Sequence, residues 1–286
     1  MGDGESGTKK TNQKHYNIVK YYIYSGDMQR WNAWYRKYME TQSSQKQEIG
    51  AYLQGINLEK EDLKKIQLHY AHLEGSNLGE ANLSNAELLG ASMQEADLTF
   101  TILYKAGLNE VNRTNANMFY ADLKEASLNN STLDFACLDH ANLQKSQLRA
   151  ASLRKTDLKD AELQNASLSN VHAEGADFSY AHLEGTVLSD VYLHGANFTH
   201  AIVDSTTLIT GDPNKIVNDD TDFTGVGLSE ARIDPKLRTR LERNIRKKQW
   251  EIWYQYPHFY NYFVMIMAFL QRLMMFKKDQ NAEASQ

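Results

Sequence analysis

The stretch of sequence that decides the fold is residues 71–98, AHLEGSNLGEANLSNAELLGASMQEADL. Divided into fives it reads AHLEG, SNLGE, ANLSN, AELLG, ASMQE and ADL, so a small residue, a polar residue and a Leu or Met return at every fifth position. A helix repeats about every 3.6 residues and a strand every second residue. Neither element keeps residues five apart on one side, so this stretch predicts a different kind of coil.

The five-residue pattern keeps one phase over most of the chain. Steps of five from Leu53 reach Leu208 after 32 units, and Leu occupies 25 of these positions. The residue two before each large position is small, most often Ala, and the residue between them is mostly polar. Self-similarity at a fixed period indicates a repeat architecture. We therefore expect each unit to form one side of a square coil, with the large and the small residue directed inward.

The units ANLSN, ADLTF, ADLKE, ANLQK and ADFSY match the consensus A(D/N)LXX, and through them residues 51–210 resemble the pentapeptide-repeat family. The resemblance implies an all-β solenoid, a right-handed quadrilateral β-helix with four units per coil. Thirty-two units then make about eight coils, which stack into a rod roughly 38 Å long at the usual strand spacing. The predicted core ladder includes Leu53, Leu73, Leu98, Leu138, Leu143, Leu158, Phe178 and Phe198.

The chain is expected to have three parts. Residues 1–50 form an N-terminal extension with a helical cap, residues 51–234 the β-helix, and residues 235–286 a basic helix followed by an apolar tail helix. A turn signal, Gly-Asp-Pro, interrupts the repeats and predicts a loop that projects from the rod at about 209–220. The cap is indicated by aromatic residues spaced for one helical face, namely Trp31, Trp34, Tyr35 and Tyr38.

Charge is distributed unevenly along the chain. Residues 51–210 hold 11 basic and 21 acidic groups, whereas residues 235–286 hold 10 basic and 4 acidic groups. An acidic body does not attract phosphate backbones, so no direct nucleic-acid binding is expected. The single cysteine, Cys137, excludes an intramolecular disulfide bond and fits a reducing compartment.

Two outward or irregular features have competing interpretations. The row of Asn and Asp residues that recurs at every fourth unit from Asn57 to Asn197 fits turn capping, and an acidic recognition ladder is the alternative. Arg113 and Ala173 break the row of large residues. Because an unpaired buried charge is costly, we expect a local distortion that lets the Arg113 guanidinium reach solvent or the carboxylates of the next coil.

The sequence carries no signature of an enzyme. It has no glycine-rich phosphate loop, nucleophile elbow or paired-cysteine metal motif. Cys137 and His140 are close in sequence, but a filled rod is not expected to offer them a deep cleft. Asp219, Asp220 and Asp222 lack the alternating spacing of a calcium loop. We expect a non-enzymatic protein without cofactor or metal.

The C-terminal tail has a broad apolar face. Residues 259–276 would span about 27 Å as a helix, close to the thickness of a bilayer core, but Arg272 interrupts the apolar run. Lipid, a second copy of the helix or a protein partner are the alternatives for covering this face. The residues assigned to it are Phe259, Phe263, Ile266, Leu270 and Met274, with a basic flank of Arg243, Arg246, Lys247, Lys248, Lys277 and Lys278.

Two functions fit these features. The first is a rigid scaffold that presents an acidic rod to an unknown protein partner and is attached to a membrane through its tail, with the rod in the cytoplasm. The tail resembles that of bacterial pentapeptide-repeat proteins that continue into a membrane segment, and a soluble cytoplasmic protein or a homodimer are the alternatives. The second function, implied by the quinolone-resistance members of the family, is imitation of DNA in binding a type II topoisomerase.

Overall fold

The computed structural model of the chain describes residues 4–44 and 50–255. Two helices precede the repeats, one helix follows them, and the repeats between wind into a coil with few regular strands. In chain order the elements are α1 (Gly4–Tyr24), α2 (Met28–Ser44), β1 (Val187–Ser189), β2 (Leu208–Thr210), α3 (Pro213–Ile216), β3 (Arg232–Ile233) and α4 (Pro235–Gln255).

Successive coils are joined by parallel pairing between positions four units apart. The series runs from the bridge between Tyr52 and His72 to the bridge between His182 and Ile202, with one bridge for nearly every unit. The backbone N–H of Leu53 donates to the carbonyl of His72 at 2.8 Å, and the N–H of His72 donates to the carbonyl of Ala51 at 2.8 Å. Because pairing returns after four units, each coil has four sides, as the β-helix prediction requires. Most sides form a single bridge because a turn follows after one unit.

Every corner of the coil is a tight turn. The N–H of Ile56 donates to the carbonyl of Leu53 at 3.1 Å, and the same bond recurs at most corners. The residue that ends a unit adopts a positive φ, as in Phe100 with φ 57°. The side chain at the middle polar position caps the turn, since an Asp97 carboxylate oxygen accepts from the N–H of Thr99 at 3.0 Å. Turn capping is therefore what the Asn and Asp row does.

The interior of the coil is filled by the large and small residues of each unit. All eight residues of the core ladder are at most 1% exposed. Phe178, Phe198 and Phe223 stack in three successive coils, with ring centroids 4.6 and 4.7 Å apart. Where Thr156 replaces the usual Ala, its hydroxyl donates to the carbonyl of Leu133 at 2.8 Å, so the polar group is satisfied inside the core.

Arg113 does not reach solvent, contrary to the sequence prediction. Its side chain is 0% exposed, and its three guanidinium nitrogens have no hydrogen-bond partner. The backbone of the unit is undistorted, since the N–H of Arg113 donates to the carbonyl of Thr132 at 2.7 Å. The regular coil directs residue 113 inward whatever its side chain is. Burial lowers the pKa of Arg113 to about 9.

The inward row also ends earlier than predicted. Leu208 is only partly buried, whereas Ile209 is 1% exposed and takes the inward position. The β1–β2 pairing shows the cause, because Leu188 faces Ile209 and not Leu208, which lies four units after it. One additional residue is accommodated in the preceding turn, where an Asp204 carboxylate oxygen accepts from the N–H groups of Thr206 and Thr207.

The predicted projecting loop at about 209–220 is part of the last coil instead. Its short helix α3 lies on one side of the coil, and Ile216 is fully buried. The Thr221 hydroxyl donates to the carbonyl of Leu193 at 3.0 Å. Asn197 then pairs with Asp222, which lies five units further along the chain instead of four. The additional unit is thus spread around the coil, which restores the original phase of the repeat.

Helices α1 and α2 cover the first coil. The indole N–H of Trp31 donates to the carbonyl of Gln67 at 2.9 Å, and the Asn32 amide donates to the carbonyl of Lys65 at 2.8 Å. Trp31 itself is 0% exposed. These bonds satisfy strand-edge carbonyls that a solenoid end leaves unpaired. The predicted aromatic cap is present at this end.

Helix α4 covers the last coil. Leu237 and Leu241 of this helix are fully buried against the coil. The Arg238 guanidinium donates to the carbonyls of Leu228 and Ala231 at 3.0 and 2.9 Å. The Asn244 amide also donates to a backbone carbonyl of the last coil at 2.9 Å. The first half of this basic helix is therefore a second cap.

Candidate protein-interaction surface

The outward positions of the coils form the surface of the rod, and five of the ten outward basic groups within residues 51–210 are paired with carboxylates. Lys105 Nζ lies 3.3 Å from a Glu125 oxygen, and the Arg154 guanidinium lies 3.4 Å from a Glu174 oxygen. Among the described residues, Asp97 and Asp157 make no ion pair. The acidic excess of residues 51–210 is therefore displayed at the surface and only partly neutralised.

Aromatic side chains form a stack along one corner of the rod. Phe100, Tyr120 and His140 occupy the same corner in successive coils, and Phe119 lies beside them; we call these four residues the corner ladder. The rings of Phe100 and Tyr120 are stacked at 5.4 Å, and those of Tyr120 and His140 at 4.7 Å. Phe119 packs edge-on against Tyr120 at 4.6 Å. The stack crosses three coils on the outside of the protein.

Sequence reasoning missed the corner ladder, although the signal was present. Phe100, Tyr120 and His140 end their units and Phe119 is the fourth residue of its unit, and neither position has a consensus preference in A(D/N)LXX. The step of four units brings positions 100, 120 and 140 together, just as it brings the Asn and Asp row together. Following that step along the fifth position of each unit would have found the stack.

The histidine of the ladder also lies beside two carboxylates. His140 Nδ1 is 2.6 Å from an Asp139 oxygen, and the ligand atoms of Asp139, His140 and Asp160 lie within 4.8 Å of one another. The hydrogen bond accounts for this arrangement, and we assign no metal to it. Cys137 is partly buried, and burial raises the pKa of its thiol, which disfavours the nucleophilic thiolate.

Part of the predicted basic flank contacts the rod. Lys247 Nζ lies 2.8 Å from an Asp219 oxygen of the last coil, whereas Lys248 Nζ lies 3.8 Å from an oxygen of Glu251 in the same helix. Arg243 and Arg246 are exposed on α4. The remaining tail residues, which lie outside the described part of the chain, are Phe259, Phe263, Ile266, Leu270, Met274, Lys277 and Lys278.

None of the helices within residues 4–44 and 50–255 is both long and apolar enough to cross a bilayer. The tail segment 259–276 lies outside these ranges.

Solved structures similar to this chain are pentapeptide-repeat proteins. A trypsin-treated variant of QnrB1, a plasmid-mediated fluoroquinolone resistance protein, is 17% identical over 67% of this chain and 97% of its own, with a TM-score of 0.32. A pentapeptide repeat protein from the Arabidopsis thaliana thylakoid lumen is 24% identical over 42% and 73%, with a TM-score of 0.23. Rfr23 from the cyanobacterium Cyanothece 51142 is 19% identical over 65% and 97%, with a TM-score of 0.24.

None of the functionally curated proteins compared with the chain matches it significantly. The profile of the family described as pentapeptide repeats does match, with eight copies. The matched residues are 49–85, 62–99, 76–112, 108–144, 136–172 and 174–208. These segments cover more than half of the chain and the whole uninterrupted part of the coil. The chain belongs to the pentapeptide repeat family.

Proposed function

We propose that this protein is a non-enzymatic scaffold that presents a rigid acidic rod to a protein partner. The observation that carries the proposal is the filled interior, in which the inward side chains from Leu53 to Phe223 are packed and capped at both ends. Chemistry is then left to the outward side chains. Small-molecule sites are enclosed clefts, whereas stacked repeats provide extended surfaces for binding other proteins.

A second function, imitation of DNA toward a type II topoisomerase, is favoured by the acidic excess of the rod. QnrB1, which shares the repeat, is by its description a fluoroquinolone resistance protein. Against this function, lysines such as Lys124, Lys145 and Lys155 interrupt the negative surface, and the basic helix α4 caps one end. A uniform field is what attracts a DNA-binding groove.

A supercoiling assay with purified DNA gyrase separates the two functions. The scaffold function predicts unchanged supercoiling when the full chain is added. Potent inhibition would support DNA imitation and remove the scaffold from first place. The variant Leu138→Asp, which is expected to unfold the rod, is the control for effects that do not depend on the fold.

We also propose that the tail attaches the rod to a membrane on its cytoplasmic side, with spanning left open. Aromatic and basic residues flank the apolar segment 259–276, as in interfacial anchors. Because Arg238 and Lys247 bind the rod, the lipid contact rests on Arg243, Arg246, Lys277 and Lys278. In the proposed division, residues 1–50 cap the rod and residues 51–234 form it. Residues 235–286 cap its other end and attach it to the membrane.

Cell fractionation tests this attachment. The full chain and a version ending at Tyr256 are expressed side by side, and the expected result is membrane recovery of the full chain that is lost on truncation. A soluble full chain with twice the mass of the truncated form would identify the tail as a dimerisation helix. A soluble full chain of unchanged association state would leave a protein partner to cover the tail.

A further inference from the structure

The corner ladder is exposed although its side chains are aromatic. Phe100 is 51% exposed and Tyr120 45% exposed, and the His140 side chain is 38% exposed. The fold does not require aromatic residues here, because the same corner position holds Lys60 in an earlier coil and Asp160 in a later one. Contiguous exposed apolar surface in an otherwise polar protein marks an interaction site.

Carboxylates lie at both ends of the stack. In the corner row, Glu80 comes one coil before Phe100, and Asp160 comes one coil after His140. Stacking leaves the outer faces of Phe100 and His140 at the ends of the ladder, next to these carboxylates. Asp97 belongs to the same unit as Phe100 and makes no ion pair with any described residue. Lys60 lies 3.2 Å from Glu80 and Lys159 lies 4.0 Å from Asp160, so these two carboxylates are partly neutralised, and Asp97 adds a carboxylate without an ion pair at the Phe100 end.

Some other aromatic rings of the rod are covered by cations of the chain itself, although Tyr70 and Tyr180 are exposed with no such cation among the described residues. Lys155 Nζ lies 5.6 Å from the centroid of Phe135, and Lys105 Nζ lies 5.0 Å from that of Tyr104. Near the last coil, Lys215 covers the ring of Tyr192 at 4.7 Å in the same way. No lysine or arginine within the described ranges lies over a ring of the corner ladder. The ladder can thus accept cations from another molecule.

We propose that the corner ladder is a docking surface for an arginine-bearing segment of a protein partner. The inference rests on the proposed scaffold function and specifies the surface and the chemistry of the partner. A guanidinium is planar, stacks on an aromatic face and pairs with a carboxylate at the same time, whereas an ammonium cannot do both equally well. The surrounding carboxylates repel nucleic acid and anionic lipid, so neither fits this surface.

Peptide binding to the full chain tests the proposal. The probes are a fluorescently labelled Arg-Gly repeat of about eight residues and its Lys-Gly counterpart, at about 0.15 M salt to screen distant charges. The Arg-Gly peptide is expected to bind more tightly. Replacing Phe100 and Tyr120 by Ser removes the free ring face of Phe100 and the ring that supports it, and is expected to weaken binding of the Arg-Gly peptide about fivefold, the loss of one exposed cation–π contact. The matched control is Phe135→Ser at another corner, which should leave the affinity unchanged.

A charge variant covers the case in which the double Ser variant does not fold. Glu80→Gln combined with Asp160→Asn preserves the shape of the surface and should also weaken binding of the Arg-Gly peptide. Equal affinity for wild type and variants, equal affinity for the two peptides, or no binding at all would each overturn the inference. Crosslinking from Lys145, on a neighbouring corner, tests whether the rod binds a protein without involving the ladder. Failure of the docking inference can therefore be distinguished from failure of the scaffold function.

Discussion

The hydroxyl of Tyr35 in α2 donates a 2.7 Å hydrogen bond to the backbone carbonyl of His69 at the open edge of the first coil. The same oxygen accepts from the backbone N–H of Ala51 at 3.1 Å. One aromatic side chain thus packs against the apolar end of the rod and satisfies two backbone groups of its edge. This explains why the first coil can end without a further strand.

Tyr35→Phe is predicted to loosen the N-terminal cap. The substitution preserves the ring but leaves a buried carbonyl and a buried N–H without their partner, which costs about 1–3 kcal/mol. Urea unfolding measures the free energy of unfolding. The matched control is Tyr21→Phe, because Tyr21 is 66% exposed. Equal stability of both variants would show that the two bonds do not hold the cap.

Arg113→Leu is predicted to stabilise the rod. The guanidinium is fully buried without a hydrogen-bond partner, and replacing even paired buried charges by apolar groups is often neutral or stabilising, by about 1–4 kcal/mol. Leu also restores the repeat. Thermal or urea unfolding gives the change, and Arg149→Leu at an exposed outward position is the control. A clear loss of stability on replacing Arg113 would mean that its charge makes a favourable interaction in the folded rod.

The N-terminal cap is predicted to weaken in mild acid because of His15. This residue is 2% exposed, its Nδ1 accepts from the N–H of Tyr52 at 3.0 Å, and Trp34 and Tyr38 pack around its ring. Burial lowers the pKa of His15 from 6.5 to about 4, and Lys14 adds to the effect.

The unfolded chain therefore binds the proton first as the pH falls. Stability due to His15 is complete above pH 6.5 and is lost between about pH 6.5 and 4, up to about 3 kcal/mol. The variant His15→Asn should lose this part of the pH dependence, whereas His182→Asn at an outward position should retain it. Urea unfolding of both variants across this pH range measures the effect. The prediction would be contradicted if the stability of His15→Asn had the same pH dependence as that of the wild type.

A charge placed in the core is predicted to unfold the rod. Leu138 is 0% exposed, so Leu138→Asp or the equivalent change at Leu143 buries a carboxylate without a partner. Circular dichroism should show loss of the coil. Ile202→Asp is the control, because Ile202 is 43% exposed on the outside. A normal melting curve for Leu138→Asp would contradict the inward assignment.

The coil and its core were predictable from the repeats, because the position that faces inward in each unit is occupied by a large apolar residue nearly every time. The end of the row was not predictable in the same way. The coil between Phe198 and Phe223 contains one additional unit, so the sequence keeps its phase while the coil is enlarged. Only the backbone pairing of Leu188 with Ile209 shows where the enlargement begins.

Arg113 and the corner ladder show two further limits. The cost of burying a guanidinium argued for an exposed Arg113, but the neighbouring coils fix its backbone and thereby its direction. The ladder depends on the contact between side chains four units apart at a position where the consensus allows any residue. In both cases the three-dimensional neighbour, rather than the local sequence, decides the environment of the side chain.

The central claim, that the outward surface of the rod binds a protein, is tested most directly by photo-crosslinking in living cells. A photoreactive phenylalanine analogue replaces Tyr120, Lys145, Arg149 or Lys155 in turn, one at each corner of the rod and all exposed. The account predicts a discrete adduct with one protein, strongest from position 120. It would be contradicted if none of the four positions gave a protein adduct while the chain is folded and present at its normal level.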